Sequence, residues 1–499
     1  LPGFHRLHFD GGRVTLTLLF GDAAAMLRQL QARADAFFLD GFAPVKNPHM
    51  WSPELFAELA RLANPGASVA TYTVASAVCQ GLSGAGFAVA KRPGFANKRE
   101  MLCGRFSRSV VSIPRTYEKR AIVIGAGLAG TSCAQRLAAR GWSVQLIERR
   151  LSAAQETSGN PAGLLRPVFS LDWNTHSRFT SAAFLYAVRH QSALEQMGEA
   201  PLHGSGGVLQ LARDALHFEK QQRIIEQFRL PATLVQALGT TQAEELAGAP
   251  VAGPACWFPT AAWADPASMC RANLNASTDW VTHLYGHEIA ALRRENDHWD
   301  ALDVHGKAIT SAPVVVLANA QMATRIAQAA WLPLRPVRGQ ISLLRQQPGR
   351  NLNIAVCREG YVTPAIDGVH CIGASFHEDL PETNLRSEDH AENLLRLDAM
   401  LPGFAEGITP DMLGGRVAFR GMSFDRLPVL GPLGQPGLPL AGGDDGLFAC
   451  LAFGSRGMTW GALAAEIVAC RITGEAMPVE NSLLKVLDPG RFHKKGKQG

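Results

Sequence analysis

Apolar and polar positions alternate and cluster in two blocks along this chain. In the first block, residues 13 to 20 (RVTLTLLF) alternate and then run apolar, which predicts a strand ending at Gly21-Asp22. Ala23 to Gln31 follows as a helix, and Asp35 to Leu39 as a buried strand that delivers Asp40 at its C-terminal end. A helix over Pro53 to Leu62, a turn at Asn64-Pro65-Gly66 and a strand over Ser68 to Tyr72 come next. Val89 to Arg92 and Glu100 to Phe106 read as a closing antiparallel pair. Strands alternating with helices predict an α/β domain built on a parallel sheet.

The second block opens on AIVIGAGLAGTSCAQRLAARGWSVQLIERR, residues 121 to 150. Ala121 to Ile124 is a buried strand, Leu128 to Arg140 a helix stopped by Gly141, and Ser143 to Ile147 a second strand ending on Glu148. Between the first strand and the helix stand Gly125, Gly127 and Gly130, a G-x-G-x-x-G. In this register the glycines give a tight turn, close backbone approach to a pyrophosphate and close helix–strand packing. Glu148, about 20 residues on, accepts hydrogen bonds from a ribose hydroxyl. There is no second such fingerprint, so a single resident dinucleotide, FAD, fits better than NAD(P). Small residues at Ser158 to Gly163, including Asn160 and Gly163, suit a second loop approaching that cofactor, although a plain polar turn reads the same way.

Further along, Pro313 to Leu317 is a buried strand returning the chain to the nucleotide site at Ala318-Asn319-Ala320. Residues 335 to 376 read as a run of antiparallel strands. Gly454, Ser455, Arg456, Gly457 and Met458 precede a helix over Thr459 to Cys470, whose N-terminus can face a ligand or simply pack.

At 499 residues the chain needs two or three domains. Its 47% hydrophobic and 18% charged residues are those of a globular protein, and no uninterrupted apolar run is long enough to span a bilayer. The N-terminus lacks the order of a signal peptide, and the first residue is Leu, a sign that the start is missing. Nine scattered cysteines with no C-x-x-C argue for reduced thiols in a cytoplasm, and against a disulfide framework or a metal site. Residues 91 to 120 carry nine basic residues (Lys91, Arg92, Lys98, Arg99, Arg105, Arg108, Arg115, Lys119, Arg120) against Glu100 and Glu118, a net +7. That run is either a solvated face or a phosphate-contacting surface for nucleic acid. The tail RFHKKGKQG adds positive charge and is expected to be disordered.

DGFAPVKNPHMW (40 to 51) and KRPGFANKREMLCG (91 to 104) resemble the methyltransferase half of the bifunctional tRNA 5-methylaminomethyl-2-thiouridine biosynthesis family. VRGQIS (337 to 342), GYVTPA (360 to 365), GASF (373 to 376), DRLPVLG (425 to 431) and FGSRGM (453 to 458) resemble its second half, which is similar to the glycine oxidase and D-amino-acid oxidase class. The resemblance implies residues 1–110 as the C-terminal part of an S-adenosylmethionine-dependent methyltransferase domain and 111–120 as a basic linker. Residues 121–490 are then an FAD-binding Rossmann-like domain with an inserted antiparallel-sheet substrate subdomain (about 206–263 and 335–410), and 491–499 a basic tail. The half-domain with the S-adenosylmethionine glycine loop is not in the sequence, so methyl transfer is expected to be incomplete in this chain.

The resemblance further implies a cytoplasmic enzyme, monomeric, acting on the wobble uridine of tRNA with FAD and S-adenosyl-L-methionine. Arg420, Arg426, Arg338 and Tyr361 are candidates to hold a substrate carboxylate, although any one arginine is as readily a surface ion-pair partner. Gly454 to Met458 would face the flavin pyrimidine edge. Asp40 would act as the base or amine-orienting group of methyl transfer, Phe42 and Trp51 would flank a flipped base, and Asp22 would touch the adenine side of its cofactor. Both aspartates also suit helix N-caps. Two other readings stay open: a small-molecule amine oxidase of glycine or sarcosine type, and a tRNA-binding protein whose flavin is structural.

Overall fold

The computed structural model describes residues 1–94, 98–108, 116–378, 380–434 and 445–495. Two compact units emerge: Leu1–Thr116 with Cys470–Lys485, and Tyr117–Ala469 with Val486–Gly499. Where the sequence reading ran one domain unbroken from 121 to 490, Cys470–Lys485 groups by contacts with the first unit.

In the first unit four strands form a mixed sheet in the order Ala34–Leu39, Ala63–Thr71, Glu100–Phe106, Phe87–Pro93. Only the first pair is parallel; the expected closing pair at 87–106 is antiparallel. The helices Pro53–Leu62 and Ser76–Ala85 bury Leu55, Phe56, Leu59 and Leu82 against Val69, Phe87 and Leu102. Two expectations fail here, and one helix was not expected. Val14–Phe20 is not a strand of this sheet but pairs antiparallel with Gly3–Phe9. The cue was in the sequence: Asp10-Gly11-Gly12 joins the two strands, and Gly11 and Gly12 take φ of +63° and +89°, which only glycine adopts cheaply. Ala34–Leu39 is an edge strand rather than a buried one, with Phe38 83% exposed. The helix Ser76–Ala85 is absent from the sequence reading because its small residues give a weak apolar stripe.

The second unit is organised by a six-stranded sheet in the order Val281–Tyr285, Ser143–Glu148, Arg120–Ile124, Val314–Leu317, Leu447–Leu451, Val429–Pro432. All neighbours are parallel except the last pair. Ile122, Val123, Ile124 and Val314 to Leu317 are fully or almost fully buried, as a parallel sheet covered on both faces requires. Each such side chain contributes about 1.5–3 kcal/mol by leaving water. Arg136 of the helix Leu128–Ala138 and Arg140 of the turn after it pair with the buried Glu466 of the helix Gly457–Thr473 at 2.8 and 2.9 Å.

An eight-stranded sheet makes the second layer, in the order Gln236–Leu238, Ala255–Phe258, Val208–Leu211, Ala355–Cys357, Tyr361–Val362, Val369–Gly373, Leu334–Arg345, Gly414–Ser423. The run expected over 335 to 376 is present, with one parallel step where Val208–Leu211 meets Ala355–Cys357. All nine cysteines are free thiols. No helix among the described residues is long and apolar enough to cross a membrane. The tail is only partly outside the described residues. Pro489–Lys495 forms a 3-10 turn in which Arg491 pairs with Asp425 at 2.8 Å, which corrects the expectation of disorder there.

Candidate active site of the second unit

A cavity of about 870 Å³ runs from the glycine turn to the eight-stranded sheet, at the upper end of what small-molecule and cofactor sites occupy. Gly125, at φ +103°, turns the chain out of its strand, and a Cβ there would lie 2.7 Å from the Ala318 carbonyl oxygen. Gly130 packs helix on strand so closely that a Cβ would stand 1.7 Å from the Gly125 oxygen. Gly127 faces Ser158, whose Oγ accepts the Leu128 N–H at 3.0 Å. Glu148 lines the cavity with its carboxylate held by the Ala126 and Arg150 N–H groups at 2.8 and 2.9 Å. A second loop is pinned by Thr157 Oγ1 donating to the Phe419 carbonyl at 2.7 Å, and by Arg416 donating to Asn160 Oδ1 at 2.8 Å.

Of the residues expected to touch the cofactor in this unit, Gly125, Gly127, Glu148, Asn160, Gly163 and Gly454 to Met458 all line this one cavity. Gly130 lies behind it, shaping the turn. The cradle fits a dinucleotide on two counts: glycines where a Cβ would block the approach, and the buried oxygens Asn319 Oδ1 and Gln321 Oε1, which line the cavity without a protein partner.

At the sheet end Tyr361 and Arg420 converge. Tyr361 donates its hydroxyl to the Ala162 carbonyl at 3.1 Å, and burial pushes its phenol well above the ordinary value, so it stays protonated. Arg420 donates to the Ser375 carbonyl at 3.2 Å and lies 5.8 Å from the Phe376 ring centroid. Burial lowers its guanidinium somewhat, opposed by nearby Tyr361. It has room because the neighbouring strand carries Gly339, within VRGQIS, whose role no local pattern in the sequence marks.

The other two arginines do not reach this site. Arg338 is fully buried elsewhere, bonded to Asp389 and to the Glu382 and Asn384 carbonyls at 2.7 Å, because its one-residue offset points it to the opposite face. Arg426 is exposed on a turn at φ +58° and lines no part of the cavity, and the acid beside it, Asp425, is taken by Arg491. Arg166, Cys357 and Arg396 line the cavity and were missed, because nothing local marks them as facing it. His377, Asp389 and Glu392 also converge, but Arg338 already pairs with Asp389 and Arg396 with Glu392.

In the first unit, Asp40 is exposed just past the strand end, as expected, and the next helix is capped by Ser52 instead. Asp22 is a helix N-cap, its Oδ1 accepting the Ala25 N–H at 2.9 Å. Phe42 is 74% exposed, but Trp51 is buried in the core, so the expected aromatic pair around a base is not formed. Trp51 works from beneath: its Nε1–H donates to the Phe42 carbonyl at 2.8 Å, and the Tyr72 hydroxyl donates to the Gly41 carbonyl at 2.8 Å. Together they fix the loop that carries Asp40.

The basic run is partly internal. Lys91 pairs with Glu100, Arg120 with Glu118, and Arg105 and Arg108 bond to backbone carbonyls. Lys98 and Arg99 are exposed, Lys98 standing 5.3 Å from the Tyr72 ring centroid, and Arg115 lies outside the described residues.

Comparison with known proteins decides the family. Residues 120–471 match the FAD dependent oxidoreductase family, and residues 1–107 an S-adenosyl-L-methionine-dependent methyltransferase family. The tRNA 5-methylaminomethyl-2-thiouridine biosynthesis bifunctional protein of Azoarcus sp. (strain BH72) is 45% identical over 98% of this chain and 78% of its own length. The protein of that name from Paraburkholderia phytofirmans is 43% identical, over 99% and 79%. This chain belongs to that bifunctional family. Its second unit has the glycine-oxidase fold. Glycine oxidase from Bacillus cereus aligns at TM-score 0.60 and 20% identity over 74% of this chain and 98% of its own. Iminodiacetate oxidase from Chelativorans aligns at 0.61 and 23%, over 74% and 99%. Both halves of the bifunctional arrangement are thus present as family matches, an FAD oxidoreductase and an S-adenosylmethionine methyltransferase.

Proposed function

We propose that the second unit oxidises the secondary amine of 5-carboxymethylaminomethyl-(2-thio)uridine in tRNA by two electrons to the imine, which water hydrolyses to 5-aminomethyl-(2-thio)uridine and glyoxylate. We infer that the first unit belongs to the methylation of that new primary amine from S-adenosylmethionine. The observation that carries the reading is Arg420 and Tyr361 converging on the far end of a cavity whose near end is the glycine cradle. Gly125, Gly127, Glu148, Asn160, Gly163 and the backbone of the segment Gly454 to Met458 would hold FAD, which would supply a two-electron oxidation of the C–N bond. Arg420 clamps the substrate carboxylate with its planar fork, and Tyr361, kept protonated by burial, turns its one O–H from the Ala162 carbonyl to that carboxylate. Ile341 and Phe376 add apolar surface to the lining of the cavity. Asp40, at the strand end on its braced loop, steers the amine in the methylation half. The site of action is cytoplasmic tRNA.

The test is anaerobic mixing of the yellow holoenzyme with tRNA carrying the carboxymethylaminomethyl group, followed by assay of glyoxylate. Bleaching with one glyoxylate per flavin is expected. Bleaching by glycine or sarcosine but not by this tRNA would overturn the assignment.

A further inference from the structure

Arg420 accounts for one anionic group of the substrate, yet the same cavity presents more positive charge than one carboxylate needs. Arg166 and Arg456 both line it. Arg166 is fixed along one edge, donating from Nη1 to Gln210 Oε1 at 2.9 Å and to the Pro167 carbonyl at 3.2 Å. Arg456 leans over the Trp460 ring, 5.9 Å from its centroid. Among the described residues neither forms an ion pair, and Glu359, also on the cavity wall, pairs with neither. Burial pulls the Arg456 guanidinium down to about 10, and the nearby Arg166 charge adds to the depression. The nearby Cys357 thiol does not neutralise the pair, since burial pushes it up and keeps it protonated. Two half-buried like charges without a counter-charge are costly unless an anion completes them.

Their position separates them from Arg420. Gln210, which holds Arg166, is in register with Cys357, Cys357 with Tyr361, and Tyr361 with Gly373. Arg420 lies on the far edge strand of that sheet, four strand spacings from Cys357, or roughly 19 Å of backbone at about 4.8 Å per step. Its side chain leans back over Gly339, shortening the gap between the charges. The cavity therefore presents guanidiniums at two places, and a free amino acid has only one anion to offer.

We propose that Arg166 and Arg456 form a second anion subsite, which takes the phosphodiester of the nucleotide whose side-chain carboxylate Arg420 holds. This rests on the proposed tRNA reaction and adds a specificity determinant to it: the arginine fork reads the backbone phosphate, and so selects a nucleotide over a free amino acid.

The oxidised holoenzyme is titrated with uridine 5′-monophosphate and with uridine, and binding is read from the flavin difference spectrum. The native enzyme should favour the monophosphate about ten-fold or more, the range of a charged hydrogen bond. In Arg166→Gln the ratio should fall close to one. Arg166→Lys, which keeps the charge but loses the fork, should fall between and serves if the first variant does not fold. An unchanged ratio in the variants, a native ratio near one, or a folded Arg166→Gln protein devoid of flavin overturns the proposal, the last by assigning Arg166 to the cofactor. A separate arm mixes tRNA carrying the carboxymethylaminomethyl group with the native enzyme. If tRNA carrying the carboxymethylaminomethyl group fails to bleach the flavin while the monophosphate ratio behaves as stated, the reaction assignment falls and the anion subsite stands.

Discussion

The guanidinium of Arg420 lies against the backbone of Gly339, so that a Cβ on Gly339 would come within 2.4 Å of its Cζ. The two residues are on adjacent antiparallel strands, Val337 facing Arg420 and Gly339 facing Ala418. One methyl group therefore decides where the proposed carboxylate clamp points.

Gly339→Ala should displace Arg420 and lower kcat/KM for the carboxymethylaminomethyl substrate while FAD stays bound. Arg420→Ala sets the upper limit, about 2 to 5 kcal/mol for a lost charged contact. Normal kcat/KM in both variants, with flavin content as in the native protein, would place the carboxylate elsewhere.

Gly127 and Gly130 should fail differently. Valine at 127 meets Ser158 Oγ at 3.0 Å and fills the approach to the pyrophosphate, so the protein should fold and lose its yellow colour. Alanine at 130 puts a methyl 1.7 Å from the Gly125 oxygen, which forces helix from strand and should lower Tm as well as flavin content. Flavin absorbance and a thermal melt on each variant separate the two, and full flavin in Gly127→Val would refute the cradle.

The nucleotide end of the site was legible because its chemistry is local. Strand, glycines, helix and Glu148 sit within thirty consecutive residues, and each constraint acts on its neighbours. The sheet end was not, because register decides it. Arg420 and Arg338 were both candidates in sequence, Arg420 the favoured one, and pairing of 334–345 with 414–423 sends Arg420 to the cavity and Arg338 to Asp389. Arg166 owes its position to Gln210 and Cys357, a pairing across more than a hundred residues. In the first unit Trp51 illustrates a different limit: an aromatic residue beside a candidate loop can serve it from the core as readily as from the surface. The Asp10-Gly11-Gly12 turn is the one case where the signal was present and passed over.

His190 gives the second unit a pH dependence with a definite sign. It is buried, its Nε2 is 2.8 Å from Asn273 Oδ1, and burial lowers its pKa to about 4. An unfolded histidine titrates near 6.5. As pH falls below about 6.5 the unfolded chain takes up a proton that the folded one refuses. The stability present above that value is then lost progressively down to about pH 4, with a slope approaching about 1.4 kcal/mol per pH unit. Denaturant unfolding of the native protein and of His190→Gln at several values from pH 7 to 4.5 should show the variant's slope shallower by about one proton. Parallel curves would mean His190 is protonated in the fold.

The last expectation concerns the surface of the first unit. Lys98 and Arg99 stand clear of the ion pairs that absorb Lys91 and Arg120, and Lys98 overhangs the ring of Tyr72, the residue that braces Gly41 beside Asp40. Positive charge is thus set next to the loop proposed to steer the amine, where a tRNA backbone would pass. Reversing both to glutamate should weaken tRNA binding and flatten its salt dependence. Each lost phosphate contact should change the log–log slope by about 0.9 on duplex regions or about 0.7 on single strands. Flavin reduction by the nucleoside should be untouched, since that chemistry belongs to the second unit. Binding isotherms over a range of salt concentrations check both statements, and an unchanged slope would make the two residues a solvated face with no part in holding tRNA.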